Sequence, residues 1–279
     1  MRNKICLYTP PFSHITSYFE MVDIAAKYGL SLETISLLEL STPDIEFAKK
    51  LRKYADEKGV KIACASLGIN LVGEDSEEQI EKAKKYAEIA AILGSPYLHH
   101  TVAFYYQNPE KVLEKREEYL EKGINAIREV YDYAKTLGVR TIYEDQGFIF
   151  NGVKGFANVF ESGRDVGVVA DFGNISGVDE KIEDFIPVYA DKIVHLHVKD
   201  YLLFEKGSDV PGAFASVSGA LHKEVPFGKG IVDMDKVFGQ IKDLGYDGYY
   251  GLECEPAEGE EGVKIFEENI AFVEKYLSK

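Results

Sequence analysis

Four polar residues stand near the ends of apolar runs, where a charged side chain is unexpected. Glu144 lies in TIYED, Asp171 in VVADFG, His197 in HLHVKD and Glu253 in GLECEP. If these runs are successive parallel strands, their carboxyl ends meet at one edge and bring the four side chains together. Three carboxylates and one imidazole suit a divalent cation such as Mn²⁺, Mg²⁺, Co²⁺ or Zn²⁺. The set therefore predicts one shared metal site, although each residue alone is more often a cap, an ion-pair member or a buried hydrogen-bonding group.

Eight short runs of β-strand type recur along the chain, with helical stretches between them. The runs cover residues 5–9, 32–38, 61–68, 96–102, 140–145, 167–173, 193–200 and 249–256. Several are continuously hydrophobic, which is typical of parallel strands covered by helices. The stretch 77–94 reads as one such helix, because Ile80, Ala83, Ala87 and Ala90 form an apolar stripe opposite charged residues.

Glycine ends most of the helical stretches, where a left-handed residue commonly follows a helix. These glycines are Gly29, Gly59, Gly94, Gly138 and Gly245. The repeated order of strand, helix and glycine predicts an α/β fold, a single (β/α)8 TIM barrel that occupies residues 1–279 as one domain. A doubly wound open sheet is the alternative, but the chain lacks the GxGxxG turn after its first strand.

Residues 201–230 break this rhythm as a long Gly/Ser/Pro-rich connection after the seventh run. Long loops inside compact domains are usually functional, and in a barrel this one lies on the C-terminal face, where active sites form. We expect a lid, or a subunit contact in a homo-oligomer. Asp179 and Asp233, on either side of the segment, are predicted N-caps of the two late helices.

The composition disfavours several classes of partner. The 279 residues include 32 Lys and Arg against 47 Asp and Glu, and this net charge of −15 argues against nucleic acids and anionic membrane surfaces. No apolar stretch reaches the ~18 residues of a spanning helix, and MRNKICLYTP reads as a first strand rather than a signal peptide. We therefore expect a cytoplasmic location. Cys6, Cys64 and Cys254 lack CxxC spacing and lie in apolar runs, which predicts buried thiols.

Motifs in the second half of the chain resemble those of a known family. They are YED (143–145), DFGN (171–174), HVKD (197–200) and the stretch FGKGIVDMDKVFGQIKDLGYDGYYGLECE (227–255), with a weaker LHH (98–100). In order and spacing they are similar to the xylose isomerase-like barrels of the sugar phosphate isomerase/epimerase family. That superfamily includes tagatose/psicose 3-epimerases, hydroxypyruvate isomerases and inosose dehydratases.

The resemblance assigns roles to the four polar residues. It implies that Glu144, Asp171, His197 and Glu253 are the metal ligands, and that Glu144 and Glu253 are also the acid/base pair. The chain departs from the pattern in two places. The epimerases usually have an Arg shortly after the metal-binding His, where this chain reads VKDYLLFEKG, and the second strand reads LETISLL without the usual VE dipeptide.

Four further residues are candidate substrate contacts. The resemblance places Asn174 where many relatives have a substrate-contacting His, and Lys199 within the HxKD motif. Lys199 either orients the substrate or pairs with Asp200. His99 and His100 are adjacent on one strand and point to opposite sides, so at most one of them faces the site.

Several other residues have a structural and a functional interpretation. His195, one layer below His197, is a packed core histidine or a ligand, and the first is favoured. Lys229 in FGKG is a solvated loop lysine or a phosphate-binding group. Tyr105 and Tyr106 line a sugar pocket or pack beneath the following helix, with packing favoured.

The chemistry suited to such a site is proton transfer next to a carbonyl. A divalent cation acts as a Lewis acid on a ketose, while one of Glu144 and Glu253 removes a proton from carbon and the other returns it. The sequence thus predicts a metal-dependent isomerase or epimerase with a small-molecule carbohydrate as its substrate. Two alternatives stay open, which are a dehydratase related to the inosose dehydratases and a non-catalytic barrel that binds a sugar or a metal.

Overall fold

A computed structural model describes residues 2–105, 107–256 and 258–278. Eight parallel strands close into a barrel. They are β1 (Ile5–Leu7), β2 (Ser31–Thr34), β3 (Ile62–Leu67), β4 (Tyr97–His100), β5 (Arg140–Glu144), β6 (Gly167–Asp171), β7 (Ile193–Val198) and β11 (Tyr249–Leu252). Around the barrel the order is β1, β11, β7, β6, β5, β4, β3 and β2. The predicted (β/α)8 barrel is confirmed.

The helices pack around the outside of the barrel. They are α1 (Tyr18–Tyr28), α2 (Ile45–Lys58), α3 (Ser76–Leu93), α4 (Pro109–Glu114), α5 (Arg116–Thr136), α6 (Gly152–Phe156), α7 (Ile182–Tyr189), α8 (Met234–Asp243) and α9 (Gly259–Leu277). The predicted stripe of α3 is confirmed at Ala83, Ala87 and Ala90, which are fully buried. The five glycines that were predicted to end helical stretches all have positive φ, between 65° and 74°. Such a φ disfavours other residues, so these glycines direct the chain from each helix toward the next strand.

The barrel interior changes from apolar to polar toward the carboxyl ends of its strands. Cys64, Ile142 and Val169 form a fully buried apolar layer. Two residues beyond Ile142 and Val169, Glu144 and Asp171 point to the same interior. Gly251 of β11 makes room there, because a Cβ at this position would lie 2.8 Å from the His197 ring. The strands therefore position a polar cluster at the barrel mouth.

Residues 201–230, hereafter the cover, fold as a small sheet rather than as an irregular loop. Its strands β8 (Tyr201–Phe204), β9 (Phe214–Ala215) and β10 (Leu221–Glu224) pair antiparallel in the order β8, β10, β9. The short polar strand LHKE and the Gly/Ser/Pro content around it hide this sheet from the sequence pattern. The described residues include no helix that is long and apolar enough to cross a membrane.

Two aspartates attach the cover to the barrel. The carboxylate of Asp200 accepts hydrogen bonds from four backbone amides, at Tyr201, Gly228, Gly230 and Val232. The carboxylate of Asp179 accepts two from Ser218, each 3.0 Å long. The prediction that Asp179 is the N-cap of a helix is therefore wrong. Asp179, with a φ of 59°, follows the end of a short 3₁₀ helix, and α7 begins only after Lys181. The predicted cap at Asp233 is confirmed by its 3.1 Å bond from the Lys236 amide.

Candidate active site

The four residues that the sequence predicted to form one site converge at the mouth of the barrel. One donor atom from each of Glu144, Asp171, His197 and Glu253 lies within 4.8 Å of the others. The Nδ1 atom of His197 is 2.7 Å from Glu144 Oε1, 3.6 Å from Glu253 Oε2 and 3.9 Å from Asp171 Oδ2. Adjacent strand ends on β5, β6, β7 and β11 produce this arrangement.

Glu33 on β2 belongs to the same cluster and was missed by the sequence analysis. This fully buried carboxylate accepts hydrogen bonds from His195 Nε2 at 2.6 Å and from His197 Nε2 at 3.2 Å. Burial alone would raise the pKa of Glu33, but the two imidazoles lower it well below its ordinary value. Tyr8 stacks on the other side of the His197 ring, with centroids 4.4 Å apart. Glu33 and Tyr8 thus hold His197 with its Nδ1 atom toward the carboxylates.

The donor set fits a divalent cation. Asp171 Oδ1 accepts the amides of Gly173 and Asn174, whereas Asp171 Oδ2 is buried without a hydrogen-bond partner in the described part of the chain. A buried acceptor without a partner is unfavourable, and a cation would relieve it. A carboxylate that orients a histidine from behind, as Glu33 does, is a common feature of metal sites. The residues present therefore match what a hard or borderline cation requires.

Negative charge is concentrated in this cluster. Burial raises the pKa of Glu253, and Glu144 raises it further, against the opposing effect of Lys199. Burial also raises the pKa of Asp171, again against Lys199. For His197 burial acts downward, but Glu33 and Glu144 raise its pKa well above the ordinary value. Burial and mutual repulsion therefore disfavour the ionised carboxylates, and a nearby positive charge would stabilise them.

Lys199 supplies one such charge. Its Nζ atom lies 2.8 Å from Glu253 Oε1, 3.6 Å from Asp171 Oδ2 and 3.5 Å from Glu224 Oε1. It also donates a 3.0 Å hydrogen bond to Asn174 Oδ1. Burial lowers the pKa of this amine, but the three carboxylates together raise it well above its ordinary value. Lys199 is therefore a member of the cluster, whereas Asp200 binds backbone amides instead.

The two adjacent histidines of β4 point in opposite directions. His99 faces the cavity, with Nε2 3.5 Å from Glu144 Oε2 and Nδ1 3.2 Å from Ser66 Oγ. His100 lies on the outer side of the barrel, where its Nε2 is 3.0 Å from the hydroxyl of Tyr143. Burial lowers the pKa of both histidines to about 4. His99 is thus the one of the pair that lines the cavity. His100 faces away from it, which corrects the prediction that His100 is a candidate substrate contact.

A cavity of about 400 Å³ opens above the cluster. Barrel residues that line it include Tyr8, His99, Gln146, Asn174, Lys199 and Glu253, and the cover contributes Tyr201, Phe214, Ala215, His222 and Glu224. The Nδ2 atom of Asn174 is buried without a partner in the described ranges, so it remains available as a donor. Asn174 and Lys199 therefore stand where the sequence analysis expected substrate contacts.

The other residues that had both a structural and a functional interpretation occupy core, packed or exposed positions. His195 is a core histidine, fully buried and hydrogen-bonded to Glu33. Lys229 is exposed, and the flanking amides of FGKG bind Asp200. Tyr105 stacks on Tyr119 of α5 with centroids 5.3 Å apart, which fits a packing role, while Tyr106 lies outside the described residues. Two of the three cysteines are buried, Cys254 is half-buried, and all three are free thiols.

A model of the family described as xylose isomerase-like TIM barrel matches residues 22–276. The chain belongs to this family. Among solved structures of similar fold is the D-allulose 3-epimerase from Methylomonas sp., with a TM-score of 0.76 and 16% identity, over 99% of this chain and 98% of that one. A xylose isomerase-like TIM barrel protein from Mycobacterium smegmatis in complex with magnesium aligns with a TM-score of 0.67 and 17% identity, over 93% and 88% of the two chains.

A curated relative of this xylose isomerase-like barrel is more similar in sequence, but only over a short stretch. L-ribulose-5-phosphate 3-epimerase UlaE of Salmonella paratyphi A is 35% identical over 83 residues. The match covers 30% of this chain and 24% of the relative. The chain therefore spans about a quarter of the length of the curated relatives that it matches, and these relatives are sugar epimerases.

Proposed function

We propose that this protein is a divalent-metal-dependent epimerase or isomerase that moves a proton next to the carbonyl of a keto sugar. The observation that carries the proposal is the convergence of four donor atoms, from Glu144, Asp171, His197 and Glu253, below a cavity of about 400 Å³. A cavity of this size lies within the range of about 300–1,000 Å³ that is common for small-molecule sites. The family of the chain and the epimerase names of its relatives support the same reaction class.

The cation would be held by those four side chains. When bound there, it supplies Lewis-acid polarisation of a carbonyl and a neighbouring hydroxyl of the substrate. Glu33 keeps the ring of His197 turned with Nδ1 toward the other three side chains that would hold the ion, and Lys199 offsets the surplus negative charge of Glu253 and Asp171. The magnesium complex of the Mycobacterium smegmatis relative supports a divalent ion of this kind.

Glu253 is the proposed base. It lines the cavity, and its side chain is 21% exposed, against at most 2% for the other three donors, so it is the one that can reach a proton on the carbon of a bound substrate. Removing that proton leaves an enediolate of the substrate. A proton carried by Glu144 then passes to the enediolate from the other side, because β5 and β11 are separated around the barrel by β6 and β7. Glu253 ends the step protonated and Glu144 ionised, and exchange with solvent restores both. Return to the same carbon gives an epimer, and return to its neighbour gives an isomer.

Deuterium exchange tests the proposal directly. The protein is treated with a chelator, divided, and incubated in heavy water with a panel of ketoses and keto-inositols, with and without Mn²⁺ or Co²⁺. We expect deuterium at the carbon next to the carbonyl only in the metal-loaded samples. Retention of full exchange in the chelator would contradict metal dependence. Absence of exchange with every ketose would contradict the reaction, and loss of water from a keto-inositol would indicate a dehydratase instead.

A further inference from the structure

We infer that the site takes an uncharged keto sugar, without a phosphate or carboxylate group, and that His222 and Glu224 of the cover contact its distal hydroxyls. This inference rests on the proposed function, because it names the substrate class of the same site. The charges around the cavity, the existing partners of each nearby cation and the side chains of the cover all support it.

The described lining of the cavity is poor in positive charge. It includes one cationic side chain, Lys199, and two carboxylates, Glu224 and Glu253. Binding sites for phosphate groups ordinarily supply Arg or Lys side chains, or free backbone amides at a helix start. Lys199 is already within 3.6 Å of three carboxylates, so little of its charge remains for an anionic substrate.

The other cations of the cover are directed elsewhere. The segment 201–230 contains three lysines and no arginine. Lys223 bonds to Glu255, Lys206 packs against Gly219, and Lys229 is exposed at the turn of FGKG. None of these three lines the cavity within the described part of the chain.

Two glycine-containing turns that could offer backbone amides to a phosphate use those amides otherwise. The carboxylate of Asp171 takes the amides of Gly173 and Asn174, at the start of the turn beside the cavity. In FGKG the amides of Gly228 and Gly230 bind Asp200, and a Cβ at Gly230 would lie 2.1 Å from Asp200 Oδ1. These glycines therefore serve the attachment of the cover, which leaves no phosphate cradle there.

The cover instead presents two groups that suit hydroxyls. His222 and Glu224 are alternate residues of β10, so both side chains point to the cavity side of the sheet. The Nδ1 atom of His222 is buried without a hydrogen-bond partner in the described ranges. Burial and Lys199 lower the pKa of His222 to about 4, so the ring is neutral near pH 7. A neutral imidazole and a carboxylate bind hydroxyls well, but the carboxylate of Glu224 repels a phosphate.

The test compares matched sugars on the Mn²⁺-loaded protein. L-ribulose is compared with L-ribulose 5-phosphate, and D-allulose with D-allulose 6-phosphate, by calorimetric binding and by deuterium exchange. We expect the free sugars to bind about 100-fold more tightly, because a phosphate near Glu224 and Glu253 meets like charge. Tighter binding of the phosphates, or no binding of either class, would overturn the inference. Preferential binding of free sugars without any exchange would support the inference and contradict the proposed reaction.

Substitutions on β10 assign the preference to the cover. Glu224→Gln removes the repelling charge, and Glu224→Lys adds a cation. We expect the phosphate-to-free-sugar affinity ratio to rise about tenfold in the first variant and further in the second.

His222→Phe is expected to raise KM for the free sugar several-fold at nearly constant kcat. Glu205→Gln, an exposed position of the cover, is the matched control and should leave the ratio unchanged. Because each ratio compares two sugars on one protein, partial misfolding cancels. An unchanged ratio in both Glu224 variants would overturn the role of the cover.

Discussion

The floor of the cavity consists of Glu33, Glu144, Asp171, His197 and Glu253, which lie at the ends of barrel strands. The cover, in contrast, is a three-stranded sheet held by hydrogen bonds to two aspartates. On the floor, Glu33, Asp171 and His197 are fully buried, and both carboxylates lie within 4 Å of the His197 ring nitrogens. In the cover, His222 and Glu224 are only half-buried, and the attachment runs through backbone amides to Asp200. The two regions meet at Lys199, which contacts Glu253 below and Glu224 above.

This difference indicates that the floor and the cover have separate roles. The floor is over-determined, because each donor atom is fixed by a strand and by charged neighbours, so its chemistry is insensitive to changes elsewhere. The sequence of the cover can change without disturbing the barrel, as long as Asp200, Gly228 and Gly230 remain. Substrate preference would then reside in the cover, and the reaction in the floor. Substitutions in one region should leave the property of the other intact.

The largest effect is expected at Glu253. Glu253→Gln keeps the shape of the side chain but removes the proposed base, so kcat should fall by about 10²–10⁴-fold. Exchange of the substrate proton with heavy water should fall with it, while metal is still retained, more weakly. The measurement is steady-state turnover together with bound metal by elemental analysis. Glu161→Gln, on the exposed surface, is the control. Exchange at the wild-type rate in Glu253→Gln would show that another group is the base.

A smaller effect is expected at Glu33, which sharpens the boundary of the floor. Glu33→Gln places an amide between two imidazoles and disturbs the bond that orients His197. We expect Mn²⁺ affinity to fall by about 10–100-fold, with kcat largely restored at saturating metal. Calorimetric titration of the chelator-treated protein measures this. Ser66→Ala, which removes another hydrogen bond to Glu33 but none to His197 among the described residues, should reduce Mn²⁺ affinity much less. Equal losses in the two variants would argue against an orienting role for Glu33.

The sequence pattern predicts most residues of the floor but not the sheet of the cover, and the reasons are physical. Glu144, Asp171, His197 and Glu253 interrupt apolar runs near strand ends, and the parity of a strand fixes the face on which each lies. Glu33 interrupts a run in the same way, and its inward parity in LETISLL was the signal that could have revealed it. The cover gives no such signal, because its strands are short and partly polar and their pairing depends on contacts to Asp179 and Asp200. Which of His99 and His100 faces the cavity likewise depends on the register of β4, which only the closed barrel determines.

The smallest of these effects is expected at Asp200. Its substitution tests whether the attachment of the cover can be weakened without a change in the metal site. Asp200→Asn replaces one acceptor oxygen with an amide donor, so at least one of four backbone amides loses its partner, at about 1–3 kcal/mol. We expect KM for the sugar to rise about tenfold, since 1.4 kcal/mol corresponds to a factor of ten. Proteolysis within residues 201–230 should also become faster.

Metal affinity is the decisive second measurement on Asp200→Asn, because Asp200 makes no contact with the four donor side chains in the described structure. It should stay within about twofold of the wild-type value, as expected for a substitution without shared partners. Ser218→Ala, which loosens the second attachment at Asp179, is the matched control and should raise KM by less, because the Ser218 amide still binds Asp179. If Asp200→Asn instead weakens metal and sugar binding equally, the cover is part of the metal site, and substrate preference and chemistry are not separable in this barrel.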